Sequence, residues 1–228
     1  MSAPRAVLVT GSARGLGAAI AERLAADGFT VVGADLARAD VALDVREAAE
    51  WQAGARALEA AGEPWGLVNC AARTVVRDLF EIEPHEWDDV LATNLRGPFL
   101  GIRAIGPLLA SRGAGRVVNI ASDAALKGRG VIGAHYAASK AGLISLTRRA
   151  AARLAPAGVT VNAVVPGTID GDTVRELAGE ELAALAAEAA LGRLADPAEI
   201  AALVAWLVSD EASYVTGAAL VADGGTGL

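Results

Sequence analysis

The sequence predicts a single-domain α/β fold, a doubly wound parallel sheet of about seven strands with helices on both faces. Short apolar runs without polar alternation recur along the chain, and stretches of helical apolar spacing separate them. Strands that are apolar on both sides belong inside a sheet covered twice, and regular strand–helix alternation makes neighbouring strands parallel. A third observation is a glycine-rich turn, Gly11 to Gly17, directly after the first apolar run. Such sheets bind ligands beyond the carboxyl ends of their strands.

Arg5–Thr10 (RAVLVT) reads as the first strand, and from Leu16 to Asp27 the spacing is helical until Gly28 stops it. Thr30–Asp35 is a second strand, Val41–Val45 a short third, and Glu47–Ala61 a helix ended by Gly62. Trp65–Ala71 is a fourth strand, followed by helical runs around His85–Thr93 and Gly97–Ser111. Arg116–Ala121, the helix Tyr136–Leu154 and the strand Val159–Val165 continue the alternation. An Ala-rich helix is predicted near Glu180–Ala190. A further helix at Pro197–Ser209 takes Asp196 as its cap and Pro at its first position, before a last strand at Ala218–Val221. No internal repeat or linker divides residues 1–228.

The chain has 228 residues, 54% of them hydrophobic and 21% charged, enough to bury one large core. Its 54 alanines explain much of that apolar share, and no run approaches eighteen consecutive apolar residues. The N-terminus lacks the apolar segment of a secretory signal, so a cytoplasmic protein is expected, with no membrane partner. A net charge of -7 argues against nucleic acid. One cysteine, Cys70, excludes an internal disulfide, and with two isolated histidines, His85 and His135, no metal site is expected. Only Lys127 and Lys140 among twenty basic residues are lysines.

In the turn TGSARGLG, Gly11, Gly15 and Gly17 let the backbone approach a ligand, while Arg14 and Leu16 open the helix whose N-terminal N–H groups suit a pyrophosphate. No Lys-Ser/Thr pair follows the last glycine, so a Walker loop is excluded. Asp35 ends the second strand, where a carboxylate accepts from an adenosine ribose and repels a 2'-phosphate. That favours NAD. Arg14 and Arg38 speak for NADP, which is the second choice.

Tyr136 and Lys140 are four apart on one helix face, with Ser122 ending the preceding strand and Asn94 upstream. A phenol beside an ammonium and a cationic nicotinamide ionises more readily, so Tyr136 is expected to exchange protons near neutrality. Ser122 would hold the substrate oxygen, and the Asn94 amide would order a water toward Lys140. His135 is expected in the cleft wall. A Ser122–Asp123–His135 hydrolase triad is rejected because no nucleophile elbow surrounds the serine. Arg73 and Arg77 would suit an anionic substrate if they faced the cleft.

Together with LDV at 43–45, NCAA at 69–72, TNLRG around Asn94, NIAS ending at Ser122, YAASK at 136–140, NAVVPG at 162–167 and TGAALVADGG at 216–225, these motifs resemble the short-chain dehydrogenase/reductase family, of Rossmann type. The resemblance implies a catalytic tetrad of Asn94, Ser122, Tyr136 and Lys140. It implies that Asp44 and Val45 flank the adenine, that Asn69 and Ala71 stand beside the cofactor, and that Lys140 contacts the nicotinamide ribose. Pro166, Gly167 and Ile169 would line the nicotinamide, and Thr168 its carboxamide. A homotetramer or homodimer is implied through the Gly97–Ser111 and Tyr136–Leu154 helices.

The chain departs from the family pattern in NCAA and in the spacing of Ser122 and Tyr136, which are fourteen apart. Asp35 and Asp44 lie only nine apart, which predicts a shallow adenine pocket. No role is assigned to Thr173, and Trp206 is an interface candidate. The expected activity is hydride transfer between a nicotinamide cofactor and a secondary alcohol or ketone under a lid at 168–191. The alternatives are an NADPH-dependent 3-oxoacyl (acyl-carrier-protein) reductase and a non-catalytic NAD-binding redox sensor.

Overall fold

The computed structural model describes residues 3–128, 132–171, 174–176, 182–226 and 228. Seven strands form one sheet in the order β3-β2-β1-β4-β5-β6-β7. They are β1 (Arg5–Thr10), β2 (Thr30–Asp35), β3 (Val41–Ala42), β4 (Glu63–Asn69), β5 (Gly115–Ile120), β6 (Val159–Pro166) and β7 (Ala219–Ala222). Every pairing is parallel. The helices are α1 (Gly15–Ala26), α2 (Trp51–Ala61), α3 (Pro84–Leu91), α4 (Gly97–Ser111), α5 (Ala134–Leu154), α6 (Leu182–Ala187) and α7 (Pro197–Val208).

Alternate residues of a strand serve opposite faces, and β1 shows this directly. Ala6 and Leu8 pack with Trp51, Leu58, Ile105 and Leu109 beneath α2, α4 and α5. Val7 and Val9 pack with Ile20, Leu24, Trp65, Val204 and Leu207 beneath α1 and α7. Strand order reverses between β1 and β4, so their carboxyl ends, Thr10 and Asn69, open the crevice in which ligands of such sheets bind.

Several boundaries differ from the sequence reading. The second helix starts at Trp51, not Glu47, because residues 46–50 form turns in which the Glu47 N–H donates to the Asp44 carbonyl. The third strand ends at Ala42 because only Val41 and Ala42 pair with β2. The fourth begins at Glu63 and stops at Asn69, where the N–H groups of Cys70 and Ala71 turn to the Thr10 hydroxyl instead. The Ala-rich helix is seen at Leu182–Ala187; residues 177–181, and Thr173, lie outside the described residues.

A buried polar line crosses the sheet into α5. The Asn69 amide donates to Asn119 at 2.8 Å, Asn119 to the Thr147 hydroxyl at 2.9 Å, and Thr147 to the Leu143 carbonyl at 2.8 Å. Each side chain on the line gives a hydrogen bond to the next, so none of these buried polar groups is left without a partner.

Candidate active site

The turn after β1 is built by close approach. Gly11, at φ +70°, lies so near β4 that a Cβ there would stand 2.8 Å from the Ala71 Cα. A Cβ on Gly17 would stand 2.0 Å from the Gly11 carbonyl oxygen, so α1 rests on the backbone of the turn. Gly15, at φ +56°, meets nothing within 4 Å. Its N-cap, Arg14, makes no side-chain cap, and the first turn of α1 holds no acidic residue. By contrast α7 carries a complete capping box of Asp196 and Glu199. The α1 N-terminus therefore keeps free N–H groups, a positive dipole end and an open glycine face, which fit a pyrophosphate.

Asp35 stands at the tip of β2 with Oδ2 accepting from the Ala13 N–H at 3.1 Å and Oδ1 from the Leu36 N–H at 2.7 Å. The link to β3 is only five residues long and turns through Arg38 in the left-handed region, at φ +57°. Asp40 closes it by accepting from the Gly33 N–H at 2.8 Å. Asp44 is held below the usual carboxylate range chiefly by its hydrogen bond from Arg46, and Val45 packs against Gly97. At the other side of the crevice, a Cβ on Gly167 would stand 2.8 Å from the Asp223 Cα. Pro166 ends β6, and Thr168 and Ile169 continue beside Ala195. The structure thus brings Gly11, Arg14, Gly15, Leu16, Gly17 and Asp35 together around the carboxyl ends of β1 and β2. Asn69 is spent on Asn119, so it ties the sheet beneath the crevice.

Tyr136 and Ser122 do meet. The Ser122 and Thr74 hydroxyls are the polar side chains that act on the Tyr136 phenol. Lys140 is buried one turn further on; its ammonium donates to the Ile120 carbonyl at 2.7 Å and lies 5.5 Å from the Tyr136 ring centroid. The phenol is shifted above its ordinary range, not below it. Burial disfavours the phenolate more than the two hydroxyls favour it, and Asp123 adds to the effect. Proximity to Lys140 alone therefore does not produce the ionisation expected from the sequence.

Burial also brings Lys140 from 10.5 down to about 8. The unfolded chain then binds more protons than the folded one between these values, so the folded state gains as pH rises through that window. Relative to Lys140→Met, the parent should gain about 3 kcal/mol between pH 8 and 10.5 in urea unfolding. Parallel stability curves for the two proteins would contradict a buried ammonium.

Asn94 sits in a π-turn, Ala92–Arg96, between α3 and α4. Its side chain is fully committed: Oδ1 accepts from the Arg73 N–H at 2.8 Å, and Nδ2 donates to the Arg73 carbonyl and the Ser139 hydroxyl. The water-ordering amide expected from the sequence is thus not free. The Asn94 main-chain carbonyl cannot take the ordinary α-helical bond, because the residue four positions on is Pro98, which has no N–H.

A model of the enoyl-(acyl carrier protein) reductase family matches residues 11–227. The chain belongs to the short-chain dehydrogenase/reductase family. It is 38% identical to the 3-oxoacyl-[acyl-carrier-protein] reductase FabG of Escherichia coli (strain K12) over 96% of this chain and 95% of that protein. It is 36% identical to a 3-alpha-(or 20-beta)-hydroxysteroid dehydrogenase of Mycobacterium bovis over 97% of this chain and 89% of that protein. The crystal structure of gox2181 superimposes with a TM-score of 0.93 at 30% identity, covering 99% of this chain and 96% of that one. The protein is accordingly a nicotinamide-dependent oxidoreductase of alcohol and carbonyl groups.

One polar residue of this short-chain dehydrogenase/reductase centre, Thr74, escapes a sequence reading, and another, Asp123, enters it only through a rejected triad. Thr74 reaches Tyr136 because the Arg73 backbone is clamped by Asn94, and no motif announces it. Asp123, adjacent to Ser122, accepts from its hydroxyl at 3.3 Å. His135 is fully buried with neither ring nitrogen partnered, its ring against Gly133. Arg77 pairs with Glu86, whereas the Arg73 side chain is exposed. Among the described residues no helix is long and apolar enough to cross a membrane, and no group of three His, Cys, Asp or Glu could hold a metal ion.

Proposed function

We propose that the enzyme uses NAD in preference to NADP and interconverts a small secondary alcohol and its ketone, with Asn94, Ser122, Tyr136 and Lys140 as its catalytic group. When bound, the nicotinamide supplies or removes the hydride at its C4. Tyr136 exchanges the hydroxyl proton and Ser122 holds the same oxygen. Lys140 holds the nicotinamide ribose, and with the positive ring it brings the phenol back toward neutrality. A water relay to Lys140 starts at the main-chain carbonyl of Asn94 rather than at its amide. Gly11, Arg14, Gly15, Leu16 and Gly17 cradle the pyrophosphate, and Asp44 and Val45 border the adenine. Ala71, Pro166, Gly167, Thr168 and Ile169 line the nicotinamide end.

The observation that carries the NAD preference is the Asp35 carboxylate anchored on the Ala13 N–H, where a 2'-phosphate would meet a like charge. Titration of the protein should give NAD at least about tenfold tighter than NADP, a difference of about 1.4 kcal/mol. Asp35→Asn should narrow that ratio. NADP binding tighter than NAD in the parent would reverse the assignment.

The likeness to FabG supports a second reading, an NADPH-linked 3-oxoacyl reductase, and exposed Arg14 and Arg38 form no ion pair among those observed. Comparing turnover of a 3-oxoacyl thioester with that of simple secondary alcohols separates the two. The partly exposed face of Leu91, Leu95, Phe99 and Leu146 supports assembly of copies through α4 and α5. A monomer in solution by light scattering would reject it.

A further inference from the structure

Immediately after β5, the chain makes a short 3-10 turn, Asp123–Ala125, with Ser122 as its cap. The Ser122 oxygen accepts from the Ala124 N–H at 3.2 Å, and its hydroxyl donates to Asp123 Oδ1. The other carboxylate oxygen of Asp123 pairs with the Lys127 ammonium four residues on. Both partners are largely enclosed, with side chains 13% and 22% exposed, unlike a solvated surface pair. Lys127 is one of only two lysines in the chain, and the reaction as described above uses neither member of the pair.

Among the described residues the charged and titratable groups around Tyr136 are few. Asp123 comes from this turn, Cys70 from the end of β4 and Lys140 from the helix of Tyr136 itself; the Ser122 and Thr74 hydroxyls complete the shell. A serine hydroxyl has one proton. While Asp123 holds it, Ser122 cannot give it to a phenolate, and the negative charge of Asp123 acts on the phenol in the same direction. Lys127 opposes both effects by neutralising Asp123.

We propose that Asp123 and Lys127 are positioning residues that set the proton affinity of Tyr136 with opposite signs. Asp123 adds to the burial that keeps the phenol protonated, and Lys127 limits how much it adds. The resting centre is thereby set to give a proton to a carbonyl oxygen, the phenolate keeping the electron pair of the broken O–H bond. This last step rests on the hydride-transfer reading above; the proton affinity itself does not.

That independence decides the experiment. Tyr136 and Tyr214 are the only tyrosines, and Tyr214 is fully exposed, so in a Tyr214→Phe background the phenolate ultraviolet band reports Tyr136 alone. The band is recorded by stopped-flow pH jump, before alkaline unfolding, without substrate or dinucleotide. Asp123→Asn should lower the midpoint by about half a pH unit or more, and Lys127→Met should raise it by a similar amount. An unmoved midpoint in Asp123→Asn, or shifts of the same sign in the two variants, overturns the proposal. Should Asp123→Asn fail to fold by circular dichroism, Lys127→Met decides alone: a rise supports the proposal, and a fall or no change overturns it. The hydride-transfer reading fails on a different result, retained turnover in Tyr136→Phe.

Discussion

Replacing Tyr136 with Phe is expected to cut turnover by at least about a hundredfold, the scale of a positioned proton transfer, while leaving dinucleotide affinity within about twofold. Only the phenolic oxygen is lost, and the rest of the side chain stays buried. Ser122 and Thr74 keep their hydroxyls but neither can stand in as base, since an alcohol holds its proton far more tightly than a phenol. Steady-state rates with the preferred alcohol, together with fluorescence titration of the cofactor, check both halves. Turnover near the parent's would remove Tyr136 from the chemistry.

The second large effect is expected at Gly17. A methyl group there would collide with the Gly11 carbonyl at 2.0 Å and with its carbon at 2.6 Å, both backbone atoms that no rotamer change can move. Gly17→Ala must push α1 off the turn, so dinucleotide binding should fall by at least about a hundredfold, with a loss of stability of several kcal/mol. Gly28→Ala is the control. Gly28 also has positive φ, +91°, but nothing lies within 4 Å of its missing Cβ. That variant should lose only about 1–2 kcal/mol of stability and bind the cofactor as the parent does. Equal behaviour of the two variants in titration would refute the packing account.

Much of this was readable in the sequence because it depends on local pattern. The limits of β1, β2 and the Gly97–Ser111 helix follow from apolar spacing and from glycines or chain turns at their ends. The Gly-rich turn, Ser122 and the Tyr136–Lys140 pair are contiguous motifs, and the sheet carries them to one crevice. What escaped depends on contacts between distant segments. Thr74 reaches Tyr136 only because Asn94, twenty residues later, clamps the preceding backbone. The π-turn at Ala92–Arg96 adds no distinctive residue pattern beyond Pro98, so the diversion of the Asn94 amide could not be foreseen. The direction in which the ligand-free protein moves the Tyr136 phenol is hidden for a related reason. Helical spacing brings Lys140 near, but only three-dimensional burial and the Asp123 charge show which influence dominates.

The line from Asn69 through Asn119 and Thr147 to Leu143 ends on the same helix as Tyr136 and Lys140, one turn beyond the lysine. Those reactive groups are thus moored to the middle of the sheet rather than to a peripheral flap. Warming should therefore not silence the enzyme by degrees ahead of denaturation. Loss of catalysis and loss of the native state should coincide in a single cooperative event, so a residual-activity curve would double as a melting curve.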